Sequence, residues 1–375
     1  MNNKKNRFLL IASHPASLIN FRGPLIRSLT EKDLEVHVVA PDIFQDKETV
    51  SQLKDLDVRV HEIALKRTGM NPLADLKSIY QLYRLMKKIK PHYSMGYTHK
   101  PVIYGSIAAW FAGVPKRFAL VTGLGYAFQS NVSWLKNLFS MLYRIALANV
   151  NKVFFQNPDD ESLFYNLKII NDSNKKSVVV NGSGVDLDLF KPTPLPKATQ
   201  FLLIARLLGD KGIREYFQAA SLVRQKYSEV RFGLVGWIDK NPNAINQKEL
   251  QDFIDAGDVK FYGRMEDVKP AISQSSIFVL PSYSEGTPRT VLEAMAMGRP
   301  IITTDAPGCR ETVINGHNGF LVPVKSVDEL VASMIKFIED PELIVRMGRL
   351  SRIFAEEKYD VKKVNKHMLE EMELY

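Results

Sequence analysis

Two glutamates, Glu285 and Glu293, close the ends of Glu285-Gly-Thr-Pro-Arg-Thr-Val-Leu-Glu293, which runs on into Ala-Met-Ala-Met-Gly-Arg-Pro. The apolar run Ile277-Phe-Val-Leu-Pro-Ser before it reads as a buried parallel strand, and Pro300-Ile-Ile-Thr-Thr-Asp after it reads as another. One carboxylate then falls in a strand-to-helix loop and the other about two turns into the helix. Backbone N–H groups at that helix N-terminus form an anion site, flanked by two acceptors for hydroxyl groups. A nucleotide-sugar, with a diphosphate between two polyhydroxylated rings, has this polarity.

A second cationic element is Phe201-Leu-Leu-Ile-Ala-Arg206-Leu-Leu-Gly-Asp-Lys211-Gly212, a strand, a tight loop and a helix start. Arg206 and Lys211 can converge across that loop on one diphosphate and neutralise charge on a departing nucleoside diphosphate. Alone, the pair equally describes a solvated helix start; beside the two glutamates it describes a donor site. Strand–EGTPRTVLEAMAMGRP–strand resembles the donor signature of retaining family-4 glycosyltransferases of the GT-B fold.

That resemblance spans nearly the whole chain and implies roles. Glu285 is expected on hydroxyls of the donor sugar and Glu293 on those of the ribose. The amides of Arg289 and Thr290 would cap a phosphate, Pro288 having no N–H to offer. Arg206 and Lys211 would hold the diphosphate, and the Tyr262-Gly-Arg264 loop would bracket the base, unless it is simply structural. His99, in Met95-Gly-Tyr-Thr-His99-Lys-Pro, ends a strand and opens a helix; the family keeps a His-x-Pro there, which makes His99 a hydrogen-bond donor to the transferring sugar. A structural histidine is the plainer reading.

The first loop, Ser13-His14-Pro-Ala-Ser-Leu-Ile-Asn20-Phe21-Arg22-Gly-Pro, lacks the Gly-Gly of the wider family. Its Phe-Arg-x-Pro form is similar to the subgroup that builds lipid-linked glycans, the bacterial N-acetylgalactosaminyltransferases among them. Ala119-Leu-Val-Thr-Gly123-Leu-Gly125 points the same way. Asn20, Phe21, Arg22, Gly123 and Gly125 are therefore the acceptor candidates, with Arg22 on the acceptor's pyrophosphate; a surface salt bridge is its alternative.

Strand-like and helix-like patterns alternate along all 375 residues, an α/β chain of two doubly wound, Rossmann-like domains with a cleft between them. Strands are expected at 8–13, 35–40, 59–64, 93–98, 117–122, 152–156 and 177–180, with helices at 22–32, 73–90, 102–112, 133–148 and 159–167. The pattern restarts after Lys191-Pro-Thr-Pro-Leu-Pro-Lys, a linker by composition. Strands follow at 201–205, 231–235, 259–262, 277–280, 301–304 and 320–322. Residues 1–190 form the acceptor domain and 191–357 the donor domain. The last segment, 358–375, is expected to cross back to the first.

Charge is uneven: residues 1–190 hold 25 Lys and Arg against 16 Asp and Glu, whereas residues 191–375 hold 25 of each. A solvated basic surface accounts for this, as does a face for an anionic partner. No zinc finger, helix-turn-helix or RNA-binding aromatic pattern accompanies it, so nucleic acid is not expected. The helix at 132–149 is bulky and apolar with Lys136 and Arg144, fit for a core or for an anionic membrane surface. One cysteine, no signal peptide and no run of about 20 apolar residues point to the cytoplasm, peripheral on the inner face of the membrane.

Asp186-Leu-Asp188 and Gly182-Ser-Gly184 lie in a strand-exit loop without the context of a metal or dinucleotide site, so neither metal nor NAD is expected. The expected activity is transfer of a hexose or N-acetylhexosamine, N-acetylgalactosamine leading, from a UDP-sugar to a polyprenyl-diphosphate-linked sugar, with no cofactor. The rivals are a UDP-sugar 2-epimerase on the same fold and a non-catalytic nucleotide-sugar-binding protein.

Overall fold

The computed structural model describes residues 5–66, 71–124, 128, 133–171, 176–239 and 243–374. The chain forms two compact units, residues 1–183 with 364–375, and residues 184–363. In the first, strands β1 (Arg7–Ile11), β2 (Glu35–Ala40), β3 (Arg59–Glu62), β4 (Tyr93–Tyr97), β5 (Lys116–Val121), β6 (Lys152–Phe155) and β7 (Ser177–Val179) make one sheet. Its order is β3-β2-β1-β4-β5-β6-β7, and every pair is parallel.

Near-continuous apolar strands are what a sheet buried on both faces requires. In β1, Phe8 and Leu10 enter one core and Leu9 and Ile11 the other. Residues of the helices 72–89, 99–112 and 133–147 pack in the Leu9 core. The Phe8 core takes Leu18, Leu25, Ile26, Leu29 and Leu53, together with Met368, Leu369 and Met372 from the end of the chain. Lys116 and Lys152 also reach Glu373 and Glu371, at 2.7 Å each.

In the second unit, β8 (Gln200–Ile204), β9 (Arg231–Val235), β10 (Lys260–Phe261), β11 (Ile277–Leu280), β12 (Ile301–Thr304) and β13 (Gly319–Val322) form a parallel sheet in the order β10-β9-β8-β11-β12-β13. Both sheets thus reverse their winding beside their first strand, between β1 and β4 and between β8 and β11. Open α/β sheets bind ligands at the carboxyl ends of the strands at such a switch point.

The structure moves three expectations. The units divide at 183/184 and 363/364, not at 190/191 and 357/358. Val185 N–H donates to Tyr359 O (2.8 Å) and Val361 N–H to Val185 O (3.0 Å), joining the two flanking segments, and Val185, Phe190 and Tyr359 pack in a core of the second unit. The segment 191–197 is no free linker. The buried Arg299 guanidinium donates to Thr193 O and Oγ1, both at 2.8 Å, and to Pro194 O at 3.2 Å. Finally, the helix expected from 102 begins at His99, because Pro101 is tolerated in a first turn. Helices Ala16–Asn20 and Lys47–Asp55 were not expected; the first is five residues long and the second, capped by Asp46, buries only Thr49 and Leu53.

Candidate active site

The carboxyl ends of β8 and β11 bring together residues 74 positions apart. Lys211 Nζ lies 2.6 Å from Glu285 Oε1, with side chains only 12% and 19% exposed. Lys211 closes a single 3-10 turn, Gly209–Lys211, before Gly212 at φ 69° starts the next helix. A Cβ on Gly212 would come within 2.2 Å of Pro281 O, so the two loops touch backbone to backbone. Asp210 O accepts from Tyr283 N–H (2.8 Å) and Ser282 Oγ (3.1 Å), fixing the lysine loop against the glutamate loop.

The glutamate loop is braced on its far side. Glu285 N–H donates to Pro307 O at 2.9 Å, and a Cβ on Gly308 (φ 79°) would meet Glu285 O at 2.2 Å. Sequence reasoning missed Gly308; its signal was the Asp305-Ala-Pro-Gly turn. Arg206, leaving β8, pairs with Asp239 after β9 (Nη1 to Oδ2, 2.9 Å), a partner sequence reasoning also missed. Both cations expected on a diphosphate therefore rest on carboxylates.

Helix Arg289–Ala296 starts behind Pro288, and Thr290 Oγ1 donates to Ile204 O at 3.2 Å, docking the helix on the end of β8. Arg289 Nε meets Glu293 Oε1 at 2.7 Å, one turn on. Glu293 is buried, and desolvation raises its pKa above the ordinary carboxylate value while Arg289 opposes the rise. Arg264 stands with its guanidinium 5.2 Å from the Trp237 ring centroid, a stacked cation at the end of β9.

In the first unit, Thr98 follows β4 at φ 68°, ψ 167°, a region that costs a non-glycine residue about 1–3 kcal/mol and that clusters at functional sites. Its hydroxyl donates to Ser13 Oγ at 3.0 Å, joining the ends of β1 and β4. His99 is next, its Nδ1 2.6 Å from the Tyr143 hydroxyl and its ring edge-on to Phe139 and Tyr143. Burial pushes the His99 imidazole down to about 4, so it is neutral at physiological pH and acts as a hydrogen-bonding group. Burial raises the Tyr143 hydroxyl, so it stays protonated.

Arg22 is 3% exposed and sits over the Tyr97 ring, 5.2 Å from its centroid, which rules out an exposed surface salt bridge. The Tyr97 hydroxyl in turn bonds Ser17 Oγ at 2.8 Å. Asn20 ends the short helix beside Arg22, and Phe21 is 45% exposed. Gly123, at φ 110°, follows β5; Gly125 lies outside the described residues.

Comparison with known proteins agrees with this fold. Residues 9–157 match the model described as "Glycosyl transferase 4-like" and residues 198–340 that described as "Glycosyl transferases group 1". The chain is 30% identical over 353 residues to the N,N'-diacetylbacillosaminyl-diphospho-undecaprenol alpha-1,3-N-acetylgalactosaminyltransferase of Campylobacter jejuni, covering 89% of this chain and 90% of that protein. It is 26% identical to the UDP-Gal:alpha-D-GlcNAc-diphosphoundecaprenol alpha-1,3-galactosyltransferase of Escherichia coli, over 85% of this chain and 87% of that one. Among solved structures, Anabaena Alr3699/HepE in complex with UDP superposes with a TM-score of 0.76 at 20% identity, covering 98% of this chain and all of that one. The chain belongs to the group 1, family-4-like glycosyltransferases and has their GT-B fold. It is an enzyme of the hexosyl or N-acetylhexosaminyl transferase class.

Proposed function

We propose that this glycosyltransferase moves a hexose or N-acetylhexosamine, N-acetylgalactosamine in the leading case, from a UDP-sugar to an undecaprenyl-diphosphate-linked sugar with retention at the anomeric carbon. The observation that carries it is the pairing of Lys211 with Glu285 at the β8/β11 switch point, with Arg206 beside it. On UDP-sugar binding the two cations take the diphosphate, and Glu285, released from Lys211, accepts hydrogen bonds from the sugar. Glu293 takes the ribose hydroxyls and Arg264 stands at the base. The amides of Arg289 and Thr290 cap a phosphate.

An acceptor hydroxyl oxygen bonds to the anomeric carbon on the face from which the carbon–oxygen bond to the diphosphate breaks. The acceptor's proton passes to the leaving diphosphate oxygen. His99 donates a hydrogen bond to the sugar and takes no proton. Asn20, Phe21, Arg22, Gly123 and Gly125 belong to the acceptor, Arg22 on its diphosphate. Arg206 and Lys211 supply the positive charge, so the reading needs no metal. The Campylobacter and Escherichia relatives, whose names specify undecaprenyl-diphosphate-linked acceptors, support the acceptor class.

A lipid-linked acceptor places the enzyme at the inner face of the membrane, in glycan, O-antigen or capsule assembly. Among the described residues no helix is long and apolar enough to cross a membrane. Between positions 76 and 158 the sequence has 11 Lys and Arg and no Asp or Glu. Trp110, Phe111, Trp134, Met141 and Ile145, on helices of that stretch, are exposed. Aromatic and aliphatic side chains in a stretch of net positive charge suit an anionic lipid surface. The enzyme is expected to sediment with phosphatidylglycerol vesicles at low salt and to stay in solution with phosphatidylcholine; equal partitioning would remove this part of the proposal.

The donor is tested by thermal shift with UDP-, GDP-, ADP- and dTDP-sugars, no metal added. A ligand at 100 times its Kd adds about 2.7 kcal/mol, a visible shift. Stabilisation by UDP and UDP-sugars alone is the expected result. Stabilisation by another nucleotide would overturn the donor assignment, and sugar turnover without acceptor would favour the 2-epimerase. Binding without product at any acceptor would favour the non-catalytic reading.

A further inference from the structure

The segment that follows β9 touches three elements of the donor site, although none of its residues is expected to touch the ligand. Trp237 lies beneath the Arg264 guanidinium. Asp239 holds Arg206 through Nη1 at 2.9 Å, with its carboxylate 18% exposed. Asn243 accepts from Gly209 N–H through its backbone oxygen (2.8 Å) and donates through Nδ2 to Asp210 Oδ1 (3.1 Å), next to Lys211. Two backbone bonds join Trp237 and Ile245 to the β8 loop: Leu207 N–H to Trp237 O and Ile245 N–H to Leu207 O, each 3.0 Å.

From these contacts we infer that Asp239 is a positioning residue for the donor diphosphate, acting through Arg206. The inference rests on the proposed nucleoside-diphosphate site. Arginine is long and costly to order, with about 2 kcal/mol of rotamer entropy. A fixed carboxylate removes that cost before the ligand arrives and aims the planar guanidinium. The opposite expectation is equally definite. A carboxylate beside a polyanion repels it, so a purely repulsive Asp239 would weaken nucleotide binding and its removal would tighten it.

A double-mutant cycle separates the two. UDP affinity by calorimetry, together with kcat and KM, is measured for wild type, Asp239→Ala, Arg206→Ala and the double variant. Asp239→Ala should weaken UDP about 5- to 20-fold and raise donor KM, and the double variant should be no weaker than Arg206→Ala alone. Asp239→Glu should recover most of the loss, which a merely structural role would not predict. If Asp239→Ala does not fold, Asp239→Asn keeps an acceptor oxygen and the shape but loses the charge, and should still weaken UDP about 2- to 3-fold. UDP binding unchanged or tighter in either variant, or losses that multiply in the double variant, would overturn the inference while leaving the donor site standing. A wild type that binds no UDP would instead remove the site itself, and the inference with it.

Discussion

In Lys211→Ala, kcat is expected to fall about 10²- to 10³-fold, the loss typical of removing one preorganised group aimed at developing charge. The lysine is largely buried and its ammonium lies 2.6 Å from Glu285, in a site where charge is poorly screened. In the proposed reaction negative charge grows on the leaving diphosphate as the carbon–oxygen bond breaks. A group that strengthens its contact only then contributes to turnover more than to ground-state binding. UDP affinity should therefore drop less than kcat. Lys211→Arg should not restore activity, because a planar fork does not reproduce the contact of a compact, largely buried ammonium with Glu285. Glu285→Gln is the complementary variant: turnover falls while UDP binding is kept. Steady-state and single-turnover rates with a UDP-sugar measure both, and a Lys211→Ala enzyme at near wild-type kcat would sink the role given to this lysine.

That Lys211 and Glu285 share a site was legible in the sequence, but that they touch was not. Each follows a strand whose apolar run announces itself, so both could be placed at carboxyl ends. Their contact depends on β8 and β11 being neighbours, which is a property of strand order over a separation of 74 positions. The same limit hid Asp239. It follows β9, the other neighbour of β8, but an isolated aspartate in a polar loop carries no period and no spacing. Gly308 was hidden for a different reason, since its requirement is a backbone approach from Glu285 O that no local pattern encodes.

The central strands were read well because burial on both faces forces continuous apolar runs; β3 and β10, at the sheet edges and partly exposed, also fall at expected positions among the described residues. Helix Lys47–Asp55 was not read, because it buries two side chains and is held at its start by the Asp46 carboxylate, which accepts from the Thr49 N–H and the Thr49 hydroxyl. The proline-rich segment at 191–197 reads as a linker by composition. What fixes it is one arginine about a hundred positions away, Arg299, whose burial lowers its pKa to about 10 and whose donors end on carbonyls and the Thr193 hydroxyl. Composition reports what a segment can do alone, and here a distant side chain decides.

Arg289→Leu should destabilise the second unit by about 2–4 kcal/mol at neutral pH, somewhat below the 3–5 kcal/mol of a fully buried pair because Arg289 is 27% exposed. The cost lies with the partner left behind. Glu293 is already raised above the ordinary glutamate value by desolvation, and Arg289 is the first opposing influence. Without Arg289 the rise grows. A carboxyl whose folded pKa lies above its unfolded one binds more protons folded than unfolded in the interval between them. Its folded state is therefore favoured below the unfolded value and loses stability as pH rises through the folded one. Arg289→Leu should thus cost little near pH 4.5 and progressively more toward pH 7.5. Arg289→Leu with Glu293→Gln should recover most of the stability at pH 7.5, because a neutral amide carries no desolvated charge. The double variant should still bind UDP poorly if Glu293 holds the ribose. Urea unfolding at both pH values measures the slope, and a loss independent of pH would show that Arg289 acts through packing and not through the charge of Glu293.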